Sequence, residues 1–325
     1  MNPWLGLLRF GVLGVSCLAF VGLAWSRESL VVSLAWTFPA GLIYAFWLIC
    51  SHDAVHHTLT GWVWFDELSA RPISWLMLWP VGIYSELHRL HHSWNGRDLR
   101  DPERVQWTLE EYRQASLWQQ WYVRYQWFVD LLLLGGIGLI LKTWVRGFQL
   151  RSVYPRLTRQ MFLDSCGMVL MQGSLVATIL LTHQSLLHYI LFWLVLERTI
   201  GVVMQTRDHL EHYGLWRNGN CHQVNQLYTS RNLRVPPGCG WLVGGLHYHA
   251  VHHAFPGIPY NQLATAFQRV QAVLVAHNCE AMVVGDGYVR EALKLAQHPA
   301  LIDRNRDSTM SQSATLDALL IQEMG

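Results

Sequence analysis

The sequence has little charge and almost no lysine. Only 14% of its 325 residues are charged, whereas a soluble globular domain averages about 25%. Just two are lysines, Lys142 and Lys294, and the formal net charge of +2 gives no basis for binding nucleic acid. Hydrophobic residues make up 51% of the chain, and 17 tryptophans and 12 tyrosines add rings that favour membrane interfaces. These proportions predict an integral membrane protein.

Several common motifs are also absent. The six cysteines include no C-x-x-C pair, which excludes a zinc ribbon and a rubredoxin-like site. No H-E-x-x-H occurs, so the pattern of a zinc protease is missing. The glycines at 135, 136 and 138 do not have the G-x-G-x-x-G spacing of a dinucleotide site. The sequence therefore shows none of these familiar redox or hydrolytic sites.

Four long apolar runs predict four membrane-spanning helices, at residues 4–25, 30–50, 161–182 and 186–205. Each run is about 20 residues long, which is enough to cross the hydrocarbon core of a bilayer. Short turns follow the first and third runs, so the four helices are predicted to form two hairpins. The shorter apolar run 131–141 is predicted to be interfacial or re-entrant, and residues 61–84 to form interfacial helices. Glu197-Arg198 is the main polar exception within the runs, and it is predicted to pair or snorkel near a helix end.

Histidine is concentrated in four short clusters, which hold eleven of the 17 histidines. The clusters are His52, His56 and His57; His88, His91 and His92; His209 and His212; and His249, His252 and His253. Residues three or four apart share one face of a helix, so each cluster can point two or three imidazoles to one side. Ligands in this number suit two metal ions, and imidazole binds iron, copper, nickel and zinc.

The charge pattern predicts on which side of the membrane the clusters lie. Four arginines between residues 146 and 159 precede the third run, and Arg207 follows the fourth, whereas the turn 182–185 has neither lysine nor arginine. The positive-inside rule therefore places the clusters in the cytoplasm, as a histidine-rich helical cap. Residues 262–295 are predicted to be helical and cytosolic, and a polar tail starts at about residue 299. Residues 1–325 are predicted to form one all-α membrane domain.

The arrangement resembles the membrane fatty acid desaturase superfamily, whose members carry three histidine boxes. The matching segments are 52–57, 88–92 and 249–253, and Asp101-Pro102-Glu103 and His252 to Tyr260 also look like family patterns. The resemblance runs from about residue 30 to residue 275. It implies a cytosol-facing site of two non-haem iron ions, O2 as co-substrate and an external electron donor.

Carried over residue by residue, the resemblance implies nine metal ligands: His52, His56, His88, His91, His92, His212, His249, His252 and His253. Metal-bound histidine usually donates its other N–H group to a carboxylate or a carbonyl. Seven further residues are therefore candidates for supporting the ligands without binding the metal: His57, His209, Asp53, Glu86, Asp101, Asp208 and Glu211.

The predicted function is that of an O2-dependent oxidoreductase, a lipid desaturase that introduces a double bond into a fatty acyl chain. A hydroxylase or ketolase of a fatty acid, alkane or carotenoid is the alternative. Both reactions begin with the same hydrogen abstraction, and Glu211 to Leu215 resembles a motif of the related alkane hydroxylases. A third hypothesis is a membrane metal-binding protein or transporter without catalysis. The predicted spans, however, have few polar groups that could line a transport path through the bilayer.

The sequence also indicates what the enzyme needs from other molecules. A separate ferredoxin, rubredoxin or cytochrome is predicted to supply electrons. Arg97, Arg100 and Arg104 are candidates for docking an acidic donor, because opposite charges steer such encounters.

Overall fold

The structure, a computed structural model, describes residues 1–217, 221–303 and 314–324. The first helices in chain order are α1 (Pro3–Trp25), α2 (Leu30–Val55), α3 (Val63–Trp75), α4 (Val81–Trp94), α5 (Leu109–Gln114), α6 (Leu117–Arg124) and α7 (Gln126–Phe128). A π-helical turn (Val129–Leu134) leads into α8 (Gly135–Leu150), which is followed by α9 (Arg156–Leu181), α10 (Leu186–His212) and α11 (His222–Thr229). The remaining helices are α12 (Cys239–Leu242), α13 (His249–Ala254), a 3-10 turn (Tyr260–Gln262), α14 (Leu263–Ala276), α15 (Tyr288–Leu295) and α16 (Ala314–Met324).

The described residues also include one small parallel sheet. Its strands are β1 (Asn232–Leu233) and β2 (Val284–Gly285), with Asn232 opposite Val284 and Leu233 opposite Gly285. The prediction of a mainly helical fold is confirmed, and this two-residue pairing is a local addition to it.

Five of the described helical segments are long and apolar enough to cross a membrane. Four of them, α1, α2, α9 and α10, match the predicted spans. The fifth is the segment Gln126–Leu150, which contains the run 131–141 that sequence placed at the interface. The chain therefore has the composition of a membrane protein, with five candidate spans among the described residues. The count of four spans and the two hairpins stay predictions.

Contacts divide the chain into two compact units, each made of two chain segments. Unit 1 comprises Met1–His88 and Asp130–Gln205, and unit 2 comprises Arg89–Val129 and Thr206–Gly325. In unit 1, α1 packs along α2, and a buried apolar cluster includes Cys17, Tyr44, Ile73 and Leu196. The prediction of a single domain is not tested by this division and stays a prediction.

Unit 2 has its own apolar core, formed mainly by α11, α13, α14 and α16. The stretch 262–295, predicted to be helical, is divided in the structure into α14 and α15 with β2 between them. After α14, Asn278 has a positive φ of 53°, and Gly287 has a φ of 102° just before α15. Because the left-handed conformation of Asn278 ends α14, the chain that follows is free to form β2 before α15 begins.

The segment Gln126–Leu150 is not one regular helix. The π turn Val129–Leu134 ends at Gly135, whose φ of 54° is a conformation that glycine adopts without a steric penalty. Such a break frees backbone groups from the helical hydrogen-bond ladder. Inside a membrane, these groups must find partners within the protein.

The Glu197–Arg198 pair supplies those partners from the middle of α10. The Arg198 guanidinium donates hydrogen bonds to the carbonyl oxygens of Leu133 and Leu134, each at 2.7 Å. Glu197 Oε1 accepts a hydrogen bond from the Ile137 backbone N–H at 2.7 Å. Arg198 Nε also lies 2.5 Å from Glu197 Oε2. The predicted pairing is therefore present, but it lies in the middle of α10 rather than near a helix end.

Replacing Arg198 by methionine is expected to lower the free energy of unfolding by about 3 kcal/mol, because Glu197 would stay buried without its cation. Thermal unfolding of the purified protein in detergent measures this loss. Adding Glu197→Gln to the variant is expected to recover part of it. Arg27→Met, which alters an exposed residue of the first turn, is the matched control, and equal melting temperatures for the two single variants would contradict the prediction.

Candidate metal centre

Unit 1 brings three of the predicted ligands together. His52 lies in the last turn of α2, His56 directly follows that helix, and His88 lies on α4. One ring nitrogen from each residue lies within 4.8 Å of the other two, and the Nε2 atoms of His52 and His88 are 3.1 Å apart. His52 and His88 are buried and His56 is half-buried. Three converging imidazole nitrogens form a group that can hold a metal ion.

Unit 2 brings together a second group, made of His91, His212 and His253. His91 lies on α4, His212 is the last residue of α10, and His253 lies on α13. The Nε2 atoms of His91 and His212 are 3.1 Å apart. The His91 and His212 rings lie 4.9 and 4.6 Å from the His253 ring, measured between centroids. All three side chains are buried.

Further predicted ligands in unit 2 adjoin this group. The Nε2 atom of His249 lies 3.2 Å from that of His212 and 3.4 Å from Oε2 of Glu211. The ring nitrogens of His92 and His252 approach within 4.8 Å of each other. Unit 2 therefore gathers six of the nine predicted ligands and one carboxylate.

In the group of His91, His212 and His253, the Nδ1 atom of each ring faces an oxygen acceptor. These contacts are His91 Nδ1 to both Asp101 carboxylate oxygens at 2.9 Å, His212 Nδ1 to the Thr229 carbonyl at 3.1 Å, and His253 Nδ1 to Gln226 Oε1 at 3.0 Å. An ionised carboxylate or a carbonyl oxygen can only accept, so each Nδ1 atom carries the proton of its neutral ring. Each Nε2 atom then presents a lone pair towards the same centre.

This arrangement fits a cation. The Nε2 lone pairs of His91 and His212, only 3.1 Å apart, would repel each other unless a positive charge were shared between them. Nε2 of His253 is buried, with no hydrogen-bond partner among the described residues. Burial also lowers the pKa of His249 and of His253 well below the ordinary value, which favours the neutral form that binds metal. Imidazole nitrogens with a carboxylate suit iron as well as other transition metals.

An amide network that sequence reasoning missed supports His253. Asn95 Nδ2 donates a hydrogen bond to Gln226 Oε1 at 3.1 Å, and Gln226 Nε2 donates one to the Asn95 carbonyl at 3.1 Å. This pairing also assigns the Gln226 oxygen to the side that faces His253. Gly96 lets the chain approach closely here, since an added Cβ atom would lie 2.3 Å from the Thr229 side chain. No local motif marks Asn95 or Gln226 as part of a metal site.

The other predicted supporting residues have different environments. Asp53 and Asp101 each face a histidine ring nitrogen, and Glu211 pairs with Arg207 at 2.8 Å. His209 is buried against the Trp127 ring, with the two ring centroids 5.0 Å apart. Within the part of the chain that the structure describes, only Glu211 of the seven candidates belongs to a metal-binding group; the six outside these groups are His57, His209, Asp53, Glu86, Asp101 and Asp208.

Comparison with known proteins points to one family. The chain matches the model of the fatty acid desaturase family over residues 29–283. A Delta(8)-fatty-acid desaturase of Euglena gracilis is 24% identical over 252 residues, which cover 71% of this chain and 58% of that protein.

Two further relatives carry similar names. A Delta 8-(E)-sphingolipid desaturase of Lachancea kluyveri is 22% identical over 260 residues, covering 70% of this chain and 44% of that protein. A Delta(5) fatty acid desaturase of Caenorhabditis elegans is 26% identical over 257 residues, covering 73% of this chain and 56% of that protein. The chain spans about half the length of the curated relatives it matches.

Proposed function

We propose, because the chain belongs to the fatty acid desaturase family, that it is an O2-dependent lipid desaturase that introduces a double bond into a fatty acyl chain. The observation that carries the proposal is the convergence of the histidine Nε2 atoms, whose rings hold their protons on the opposite side. The relatives are named as desaturases of fatty acids or sphingolipids, which favours desaturation over hydroxylation or ketolation.

The proposed cofactor is a pair of non-haem iron ions. The proposed ligands are His52, His56, His88, His91, His92, His212, His249, His252 and His253. Iron bound by these residues would supply the O2 chemistry that removes hydrogen from an unreactive C–H bond.

The chain's own residues prepare that site. Asp101, Gln226 and the Thr229 carbonyl hold the outer nitrogens of three rings, so that the inner nitrogens point to a common centre. The burial of these rings excludes bulk water from the centre that they surround, where it would compete with the reaction. The geometry thus serves an oxidation that must be shielded from solvent.

The overall reaction balances with one external reductant. The acyl chain gives up two hydrogen atoms, with their two electrons, as the C=C bond forms. A donor protein supplies two further electrons, two protons come from solvent, and O2 leaves as two water molecules. The proposed donor is a ferredoxin, a rubredoxin or a cytochrome.

The proposed orientation places the histidine groups on the cytoplasmic side, which the arginine-rich ends of the spans support.

The prediction that three arginines dock the electron donor is weakened for two of them. Arg100 pairs with Asp98 at 2.6 Å, and Arg104 pairs with Glu111 at 2.8 Å. Two of the three predicted docking arginines are thus balanced by acidic neighbours.

The proposed function is tested by the mass of membrane lipids from a host that has a compatible electron donor. Expression of the chain is expected to produce lipids lighter by two hydrogens, and the His252→Ala variant is expected to produce none. Fragmentation of the product then gives the position of the double bond. A product heavier by one oxygen, without any loss of two hydrogens, would contradict the proposal in favour of hydroxylation.

A further inference from the structure

Arg9 is a fully buried cation on an otherwise uncharged membrane helix. Its relative exposure is 0%, and it lies on the same face of α1 as the buried residues Gly6, Leu13 and Cys17. A buried guanidinium is costly unless an anion and hydrogen bonds compensate for its lost hydration. The position of Arg9 therefore needs an explanation from its surroundings.

The partner of Arg9 is a carboxylate next to a proposed metal ligand. Arg9 Nη1 lies 2.5 Å from Asp53 Oδ2, and the other carboxylate oxygen, Oδ1, lies 3.5 Å from His52 Nδ1. The backbone carbonyl of Asp53 accepts hydrogen bonds from Thr58, from its N–H at 2.9 Å and from its hydroxyl at 3.1 Å. Arg9 therefore holds the side chain of Asp53, and Thr58 holds its backbone carbonyl.

The placement of Asp53 determines which nitrogen of His52 can bind metal. A carboxylate facing Nδ1 favours the proton on that nitrogen, which leaves the lone pair on Nε2. Nε2 of His52 is the atom that lies 3.1 Å from His88 Nε2. Arg9, Asp53 and His52 thus form a chain of contacts that runs from α1 to the histidine group of unit 1.

The surface of α1 is shaped for this close approach. A Cβ atom on Gly6 would lie 1.7 Å from the Leu59 carbonyl oxygen, and one on Gly14 would lie 2.9 Å from the Trp47 ring. These glycines flank Arg9 on the buried face of α1. Because they lack side chains, α1 lies close both to α2 and to the turn that follows it, so that the guanidinium reaches Asp53.

We propose that Arg9 is a positioning residue for the metal site: it holds Asp53 in the orientation that directs Nε2 of His52 towards the metal. The inference rests on the proposed function only in taking the histidine group of unit 1 as a metal site. Residue 9 precedes the segment that matches the family model, residues 29–283. The first helix is thereby part of the metal site as well as of the membrane anchor.

Metal titration of the purified full-length protein in detergent tests this role. Cobalt(II) serves as the probe, since its absorption bands report bound metal without any turnover. Arg9→Met is expected to lower cobalt affinity about 10–100-fold, the usual effect of removing a group that orients a ligand. The rise in melting temperature on adding cobalt should shrink accordingly, and Arg9→Lys should restore part of both signals.

A half-buried arginine whose partner is a buried carboxylate provides the matched control. Arg71 contacts Asp164 at 3.6 Å within unit 1, and Asp164 accepts from Trp75 and from the Ile83 N–H rather than facing a histidine. Arg71→Met is expected to lower the melting temperature but to leave cobalt affinity unchanged. If Arg9→Met behaves in the same way, the Arg9–Asp53 pair only fastens α1 to α2, and the proposal is overturned.

A double variant keeps the proposal testable if Arg9→Met does not fold. Arg9→Met with Asp53→Asn removes both charges and so avoids a buried unpaired carboxylate. Weakened cobalt binding in a folded double variant supports the proposal, and wild-type affinity overturns it. The titration measures no lipid product, so a wild-type protein that binds cobalt without desaturating lipids would contradict the proposed function alone.

Discussion

The His212→Ala variant is expected to lose both the proposed bound iron and the proposed desaturation of lipid. His212 is the shared member of two metal-binding groups, with His91 and His253 in one and with Glu211 and His249 in the other. Its Nε2 atom lies 3.1 Å from His91 Nε2 and 3.2 Å from His249 Nε2. Its removal leaves several buried imidazoles without the neighbour that completes their site, so activity should fall below detection.

Iron per chain and lipid mass, measured on the same preparations, check this prediction. His183→Asn is the control, because His183 lies exposed in the turn between α9 and α10. Its φ of 53° is a conformation that asparagine tolerates. This control should retain wild-type iron and activity. Full turnover by His212→Ala would show that the metal lies elsewhere.

The Gln226→Leu variant is expected to bind metal about 10–100-fold more weakly, because His253 would lose the acceptor that orients its ring. Gln226 is fully buried and also exchanges two hydrogen bonds with Asn95. A leucine leaves the Nδ1–H of His253 and the Asn95 carbonyl with fewer partners, at a cost of about 1–3 kcal/mol for each buried polar group left unsatisfied. Stability and metal affinity should therefore fall together.

Cobalt titration and thermal unfolding measure these two effects separately. Gln172→Leu is the matched control, since Gln172 bonds to the Leu76 carbonyl and to Tyr189 within unit 1. That control should lose stability alone. Wild-type cobalt affinity in Gln226→Leu would mean that the amide network does not orient His253.

The parts of the fold that sequence predicts well depend on local composition. The runs 4–25 and 30–50 became α1 and α2, and 161–182 and 186–205 became α9 and α10. An apolar stretch of about 20 residues has few alternatives to a membrane helix, because its backbone must satisfy its own hydrogen bonds. Boundaries moved by up to seven residues where polar residues, including histidines, extend the helices beyond their apolar parts.

The segment Gln126–Leu150 shows where local patterns are insufficient. Its central apolar run is only 11 residues long, so sequence placed it at the interface. The structure extends the helix on both sides and breaks it at Gly135. The break depends on Glu197 and Arg198, which lie more than 60 residues further along the chain. Such compensation between distant segments leaves no periodicity that a local window can detect.

For the metal site too, some features follow from the sequence and others only from the tertiary structure. The sequence by itself determined which side chains have metal-binding nitrogens and which of them share a helix face, because both follow from residue type and spacing. Only the tertiary structure decided which nitrogen of each ring points inward. The acceptors that hold His91, His212 and His253 lie 10, 17 and 27 residues from them, and two are an amide side chain and a backbone carbonyl. A tautomer depends on a hydrogen-bond partner in space, and no spacing of histidines along the chain specifies that partner.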